Sequence, residues 1–341
     1  MKVLHIGKPG NIEKYSSEDS FLRSLECREA PLGLSEDEYL RIGGDADFLI
    51  ADAISPVSAE LINRMPNLKL IHSEGVAFNA IDTEAAAERG IYVCNSSGMN
   101  ATAVAEQALL LMLGVIKNVV NNDRAVRDGR QIDVKGGYMQ RGDLMELSDF
   151  AVGLVGFGDI AKETARLLRA FGVQNIYYNK RKPLSESEEK ELGVRYMELK
   201  ELLRQSDVVS LHIPLNDNTR GMANDEFFSD MKDGSLFINT ARGELVDDAA
   251  FIRALESGKL GMAGLDTLSN EPVKLEHILL NLPDEISERI VFSPHIGGIT
   301  AASFRRSYAM ISEDIENVAK GCRPRRVVNN VKPGRSLKKG E

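Results

Sequence analysis

The sequence predicts an α/β protein made of two parallel-sheet units, and two observations carry that reading. Short apolar runs of strand length alternate with helical stretches along most of the chain. A glycine turn, VGLVGFGDIA, follows an apolar run near mid-chain and opens a helical pattern, so a second strand–helix series begins there. The 341 residues suffice for two domains that each bury a core.

The opening KVLHIG reads as the first strand. ADFLIADA (46–53), LKLIHSEG (68–75) and IYVCN (91–95) repeat its pattern, with helical stretches such as SAELINRM between them. One long helix is expected through NATAVAEQALLLMLGVIKNVVNNDRAVRDG, with Val104, Ala108, Leu111, Met112 and Val115 at helical spacing. Its first part is apolar nearly all round, which suits burial or a subunit contact. Residues 130–149, polar and interrupted by Gly136 and Gly137, read as irregular. The second series follows: the strand into the glycine turn, a helix with Ile160, Ala161, Ala165 and Leu168 on one side, and the strand NIYYN. The strands DVVSLHIP (207–214), SLFINTA (235–241), MAGLDT (262–267) and RIVFSPH (289–295) complete it. SFRRSYAMISEDIENVAKG is a closing helix ended by Gly321, and the polar residues 331–341 read as a disordered tail.

Composition narrows the function classes. A hydrophobic share of 43% with 27% charged residues is that of a soluble globular protein. The net charge of −9 argues against duplex nucleic acid and an anionic membrane as partners. Cys27, Cys94 and Cys322 are odd in number, far apart and without metal-ligand spacing, so no metal is expected and a reducing compartment fits. The N-terminus reads as a strand, not a signal peptide, and no charge-free apolar run approaches 18 residues. A cytoplasmic location is expected.

The turn places Gly156, Gly158 and Ala161 at the three positions of G-x-G-x-x-G/A. The first glycine permits the tight bend, the second lets backbone approach a pyrophosphate, and the small third residue lets helix and strand pack closely. The helix starting near Asp159 and Ile160 then presents free N–H groups to the phosphates. The next strand normally ends in an acid that binds the ribose 2′-hydroxyl of NAD. Here Asn179 takes that place, and Lys180, Arg181 and Lys182 follow. The expected cofactor is therefore NADP, with NAD possible; the bland alternative is an exposed basic turn.

Three later segments carry one guanidinium, one carboxylate and one imidazole: INTARGELVD with Arg242, AGLDTLSNEP with Glu271, and FSPHIGG with His295. A planar guanidinium can pair with a carboxylate and donate toward a carbonyl oxygen that gains charge on hydride addition. The imidazole, with an ordinary pKa near neutrality, moves the proton, and the carboxylate favours its charged form.

With these motifs the chain resembles the D-isomer-specific 2-hydroxyacid dehydrogenase family, from about residue 45 to residue 330. The resemblance implies two doubly wound, Rossmann-like parallel-sheet domains. A discontinuous substrate-binding domain (1–100 and 297–330) encloses a dinucleotide-binding domain (101–296). It further implies a homodimer acting on a small 2-ketoacid or 2-hydroxyacid, with glyoxylate or hydroxypyruvate favoured. Arg242, Glu271 and His295 are the catalytic residues it implies. Beside the cofactor it places His212, Pro214, Thr219, Thr240, Ala241 and Asp266; for His212 the alternative is a structural strand-end histidine.

The substrate loop departs from the family pattern. Around Gly75 and Val76, Ala77 stands for a glycine, Asn79 for an aspartate and Ala80 for an asparagine. Backbone N–H groups of Val76 and Ala77 remain able to meet a substrate carboxylate. Glu74 is expected to disfavour a second negative charge on the substrate. Phe78 either lines the substrate or packs under the loop. Because no further domain follows residue 330, an allosterically extended phosphoglycerate dehydrogenase is not expected. The rival readings are a dinucleotide-sensing, corepressor-like interaction protein and a phosphite-type dehydrogenase with the same triad.

Overall fold

The computed structural model describes Met1–Val331; the tail expected beyond this point lies outside the described residues. The described residues divide into two compact units, one formed by residues 1–100 with 299–331, the other by residues 101–298.

The first unit is a five-stranded parallel sheet: β1 (Lys2–Ile6), β2 (Glu26–Ala30), β3 (Phe48–Ala51), β4 (Leu70–Ser73) and β5 (Tyr92–Cys94), in the order β2-β1-β3-β4-β5. β2 was not legible as a strand, because ECREA is polar and partly exposed at a sheet edge. Side chains alternate between two buried layers, as strand pleating requires. Leu4, Ile6, Leu49 and Ile71 face one layer, while Val3, Phe48, Ile50 and Leu70 face the other. The closing helix Ala301–Ala319 covers that second face with Tyr308, Ile311, Ile315 and Val318.

The second unit is a seven-stranded parallel sheet: β6 (Val152–Val155), β7 (Ile176–Asn179), β8 (Arg195–Tyr196), β9 (Val208–Leu211), β10 (Ser235–Asn239), β11 (Leu260–Leu265) and β12 (Ile290–Phe292). Its order, β12-β11-β10-β9-β6-β7-β8, reverses direction at β6. β6 and β9 leave the sheet on opposite sides of that point, which opens a crevice beyond their carboxyl ends. β8 is two residues long, too short to be read from its sequence.

Two helical expectations need correction. The single long helix is broken into Ala101–Ile116 and Val119–Arg127, bent by 55°. The break falls at Asn118, whose φ of 48° lies in the left-handed region that asparagine tolerates better than most residues. Residues 130–149 are not irregular: Gln131–Arg141 is a helix stopped by Gly142 at φ 66°, and Leu147–Asp149 is a 3₁₀ turn. Gly136 and Gly137 weaken this helix without breaking it. Ala101–Ile116 is mostly buried against the face carrying Val152, Leu154 and Ile238. Among the described residues no single helix is long and apolar enough to cross a membrane.

Candidate active site

Every sequence-predicted site residue of the second unit lies at or just beyond the carboxyl end of a strand. Gly156 follows β6, Asn179 closes β7, His212 follows β9, Thr240 to Arg242 follow β10, Asp266 and Glu271 follow β11, and His295 follows β12. Parallel pairing puts all these ends on one edge of the sheet, so residues far apart in sequence share that edge.

The glycine turn fits a dinucleotide. Gly156 has φ 91°, and a Cβ there would stand 2.4 Å from the His212 carbonyl oxygen. At Gly158 a Cβ would meet nothing within 4 Å, so the backbone faces open space. Helix Asp159–Ala170 starts at Gly158 with no side-chain cap, which leaves its first N–H groups available to an anion. Ala161 is fully buried, as the third motif position requires. Among the described residues Thr240 Oγ1 is buried without a partner, a donor that a ligand could satisfy.

The other expected cofactor residues divide. Asn179 Nδ2 donates to the Met197 carbonyl at 2.9 Å, which fixes the amide and leaves its oxygen free of that bond. Lys180 is half-buried and Arg181 exposed. The His212 ring lies 3.0 Å from Ser210 Oγ, and burial holds its pKa down at about 4, so it is neutral at physiological pH. Thr219 Oγ1 closes a turn by donating to the Pro214 carbonyl at 2.8 Å. Ala241 N–H donates to Asn239 Oδ1 at 3.0 Å. Asp266 is 2% exposed, and its two oxygens accept the N–H groups of Ile296 (3.1 Å) and Gly297 (2.9 Å). Both oxygens therefore grip the turn that carries His295.

His295 and Glu271 are brought together: His295 Nδ1 lies 2.6 Å from Glu271 Oε2. Both side chains are partly exposed, 43% and 33%, so packing alone does not enforce the pair. Backbone does. His295 has φ 56°, uncommon for a residue with a Cβ, and the Asp266 bonds just described hold it there. Gln107 Nε2 adds a bond to Ser293 Oγ at 2.8 Å. The other Glu271 oxygen accepts the Leu268 N–H at 3.0 Å. Since Nδ1 faces a carboxylate, Nε2 is the ring atom left to exchange a proton with a ligand.

Arg242 is exposed, and among the described residues its guanidinium hydrogen-bonds only the Ala241 carbonyl. The structure brings its backbone close to the Glu271 segment. A Cβ at the adjacent Gly243 would stand 1.9 Å from the Leu268 carbonyl carbon, so only glycine lets the two segments cross. Asn239 Nδ2 donates to the Arg242 carbonyl at 2.8 Å and completes this turn. Sequence reasoning missed Gln107, Asn239 and Gly243; the glycine after Arg242 was the available signal.

In the first unit, the loop after β4 is anchored by its carbonyls. Gly75 O accepts Ser96 N–H (2.9 Å), Val76 O accepts Asn95 Nδ2 (2.7 Å) and Ala77 O accepts Ser73 Oγ (2.5 Å). In a trans peptide the N–H points opposite the carbonyl. The N–H groups of Val76, Ala77 and Phe78 are thus turned away from these partners. Phe78 is half-buried and packs against the core under the loop. Glu74 is 3% exposed, and Oε1 accepts Tyr308 OH (2.5 Å) and Asn11 Nδ2 (2.9 Å).

The chain is similar to several known dehydrogenases. Residues 109–297 match the profile described as "D-isomer specific 2-hydroxyacid dehydrogenase, NAD binding domain". A hydroxypyruvate reductase of Thermotoga maritima is 36% identical over 277 residues, 80% of this chain and 85% of that protein. A glyoxylate reductase of Korarchaeum cryptofilum is 34% identical, over 84% of this chain and 83% of that protein. The apo D-mandelate dehydrogenase of Rhodotorula graminis superposes with a TM-score of 0.81 at 29% identity, covering 97% of this chain and 98% of that one.

Proposed function

The chain belongs to the D-isomer specific 2-hydroxyacid dehydrogenase family, and from that premise we propose that it reduces small 2-ketoacids, glyoxylate and hydroxypyruvate foremost. The observation that carries the chemistry is the His295–Glu271 pair at 2.6 Å on the carboxyl edge of a dinucleotide-binding sheet. The names of the relatives above support the substrate class. When bound, the nicotinamide supplies the hydride. The Arg242 guanidinium pairs with the substrate carboxylate and donates toward the oxygen on which negative charge grows. His295 delivers the proton from Nε2, and the Glu271 carboxylate favours the charged ring that makes delivery possible. In the first unit the outward N–H groups of Val76 and Ala77, after Gly75, suit a carboxylate.

We read the cofactor as NADP(H), with NAD(H) also accepted. Lys180 and Arg181 offer charge to a 2′-phosphate, and Asn179 lacks the carboxylate that would repel it. Its free amide oxygen also suits a ribose 2′-hydroxyl, so the preference is modest. The active species is a homodimer: Leu110, Val126, Ile132 and Met139, all in the second unit, are 60%, 56%, 73% and 76% exposed. Three free thiols fit a reducing, cytoplasmic compartment. Initial rates with NADPH and NADH against glyoxylate, hydroxypyruvate, pyruvate and branched 2-ketoacids test the reading. It fails if none of these acids oxidises either cofactor.

A further inference from the structure

Beneath the Glu271 segment lies a second constellation of hydroxyl, imidazole and carboxylate. Ser269 Oγ is 2.5 Å from Asp248 Oδ2 and 3.0 Å from His277 Nε2. Ser269 is 8% exposed, and the His277 and Asp248 side chains are 8% and 21% exposed. The residue types are those of a nucleophilic triad, but the proton directions are wrong for one. Leu279 N–H donates to His277 Nδ1 at 3.2 Å, so that nitrogen is an acceptor and the ring proton is on Nε2. Nε2–H then donates to Ser269 Oγ, and the serine hydrogen goes to Asp248. A base would have to accept from the serine, and His277 gives to it. The relay therefore activates nothing; it fixes Ser269 from both sides.

What it fixes matters. Ser269 lies between Leu268, whose N–H holds one Glu271 oxygen, and Glu271, whose other oxygen meets His295. Asp248 opens the helix Asp248–Glu256, and His277 caps the turn Ile278–Leu280. The relay thus ties the exposed Glu271 segment to two separate elements of its unit. We propose that Ser269, held by Asp248 and His277, is a positioning residue that sets the Glu271 carboxylate against His295. This rests on the catalytic reading given above. Losing the relay lets the carboxylate drift, so its charge stabilises the protonated ring less. The reduction reaction then loses its proton donor at a lower pH.

The test is the pH dependence of kcat for keto-acid reduction in wild type, Ser269→Ala, Ser269→Thr and Glu271→Gln, each with its melting temperature and nucleotide affinity. Ser269→Ala removes both hydroxyl bonds and Ser269→Thr keeps a hydroxyl. The expected result is a basic limb moved about half to one unit toward acid pH in Ser269→Ala, roughly a three- to tenfold loss above it. Ser269→Thr restores most of the limb, nucleotide affinity stays put, and Glu271→Gln moves the limb further. A limb that moves in Glu271→Gln but not in a folded Ser269→Ala overturns this inference alone. A loss in Ser269→Ala that is the same at every pH, or that Ser269→Thr does not relieve, also overturns it. If Glu271→Gln leaves the limb in place, the catalytic reading falls and this inference with it.

Discussion

His295 combines a left-handed backbone, an exposed ring and one ring nitrogen committed to a carboxylate. Such a residue is costly to hold and is held by Asp266 through two backbone N–H groups. Replacing His295 with Ala is expected to lower kcat by roughly 10²–10⁴-fold, the usual worth of a general acid. Nucleotide affinity, read by nicotinamide fluorescence titration, should stay within about twofold of wild type. Glu271→Gln keeps the shape and removes the charge, so reduction should weaken at neutral pH and recover toward acid pH. An unshifted pH profile would remove Glu271 as the imidazole's partner. At Gly243 the issue is space. A methyl there would strike the Leu268 carbonyl carbon, so Gly243→Ala must displace the Glu271 segment. A misplacement of about 1 Å can cost on the order of 10²-fold, so kcat/KM should fall by roughly that factor while nucleotide still binds. Unchanged kcat/KM would mean that the segment can move without consequence.

At the scale of elements, the strands after which the site residues stand were legible because each is an apolar run ending in small or polar residues. VGLVGFG, SLFIN and MAGLD are examples. The polar edge strand β2 and the two-residue β8 were not, since their pairing comes from neighbours and not from their own pattern. The residues brought together at the site could be named from motifs. The supports could not: Gln107, Asn239 and the Asp248–Ser269–His277 relay join segments whose closeness only the sheet order creates. The surroundings of Glu74 were not legible either: the fold buries it against Tyr308 and Asn11, which come from distant segments. A second buried acid yields a stability prediction. Asp314, on the closing helix, receives His72 Nε2 (3.3 Å), Arg325 N–H (2.7 Å) and Arg326 Nη1 (3.1 Å). Burial alone would raise its pKa, but these bonds outweigh it and hold the carboxyl below its usual range. Its contribution is therefore complete above the unfolded value of about 4 and is lost as pH falls through the lower folded value. Asp314→Ala should cost about 3–5 kcal/mol at pH 7, seen in denaturant melts, and the difference should shrink at pH 2–3. A cost that does not change with pH would assign Asp314 a packing role only.

For the whole molecule, a net charge of −9 means that anionic ligands are expected to be met by local groups, such as a helix N-terminus, Arg242 and the basic turn after β7. That turn is solvated, and each exposed pairing contributes about 0–1 kcal/mol. The expected outcome of two or three such pairings is roughly a ten- to hundredfold preference for NADPH over NADH, shrinking as salt is added. Asn179→Asp with Arg181→Ser should reverse the order; a wild-type preference for NADH at low salt would reduce the turn to a solvated loop. The central claim is that this edge of the second sheet performs acid-assisted reduction of a 2-ketoacid. It is tested most directly by following NADPH absorbance with glyoxylate and hydroxypyruvate, in wild type and His295→Ala side by side. The account predicts keto-acid-dependent oxidation in the wild type and at least a hundredfold slower rate in the variant, roughly the lower bound for a lost general acid. Equal rates in the two proteins, or oxidation that does not depend on the keto acid, would contradict it.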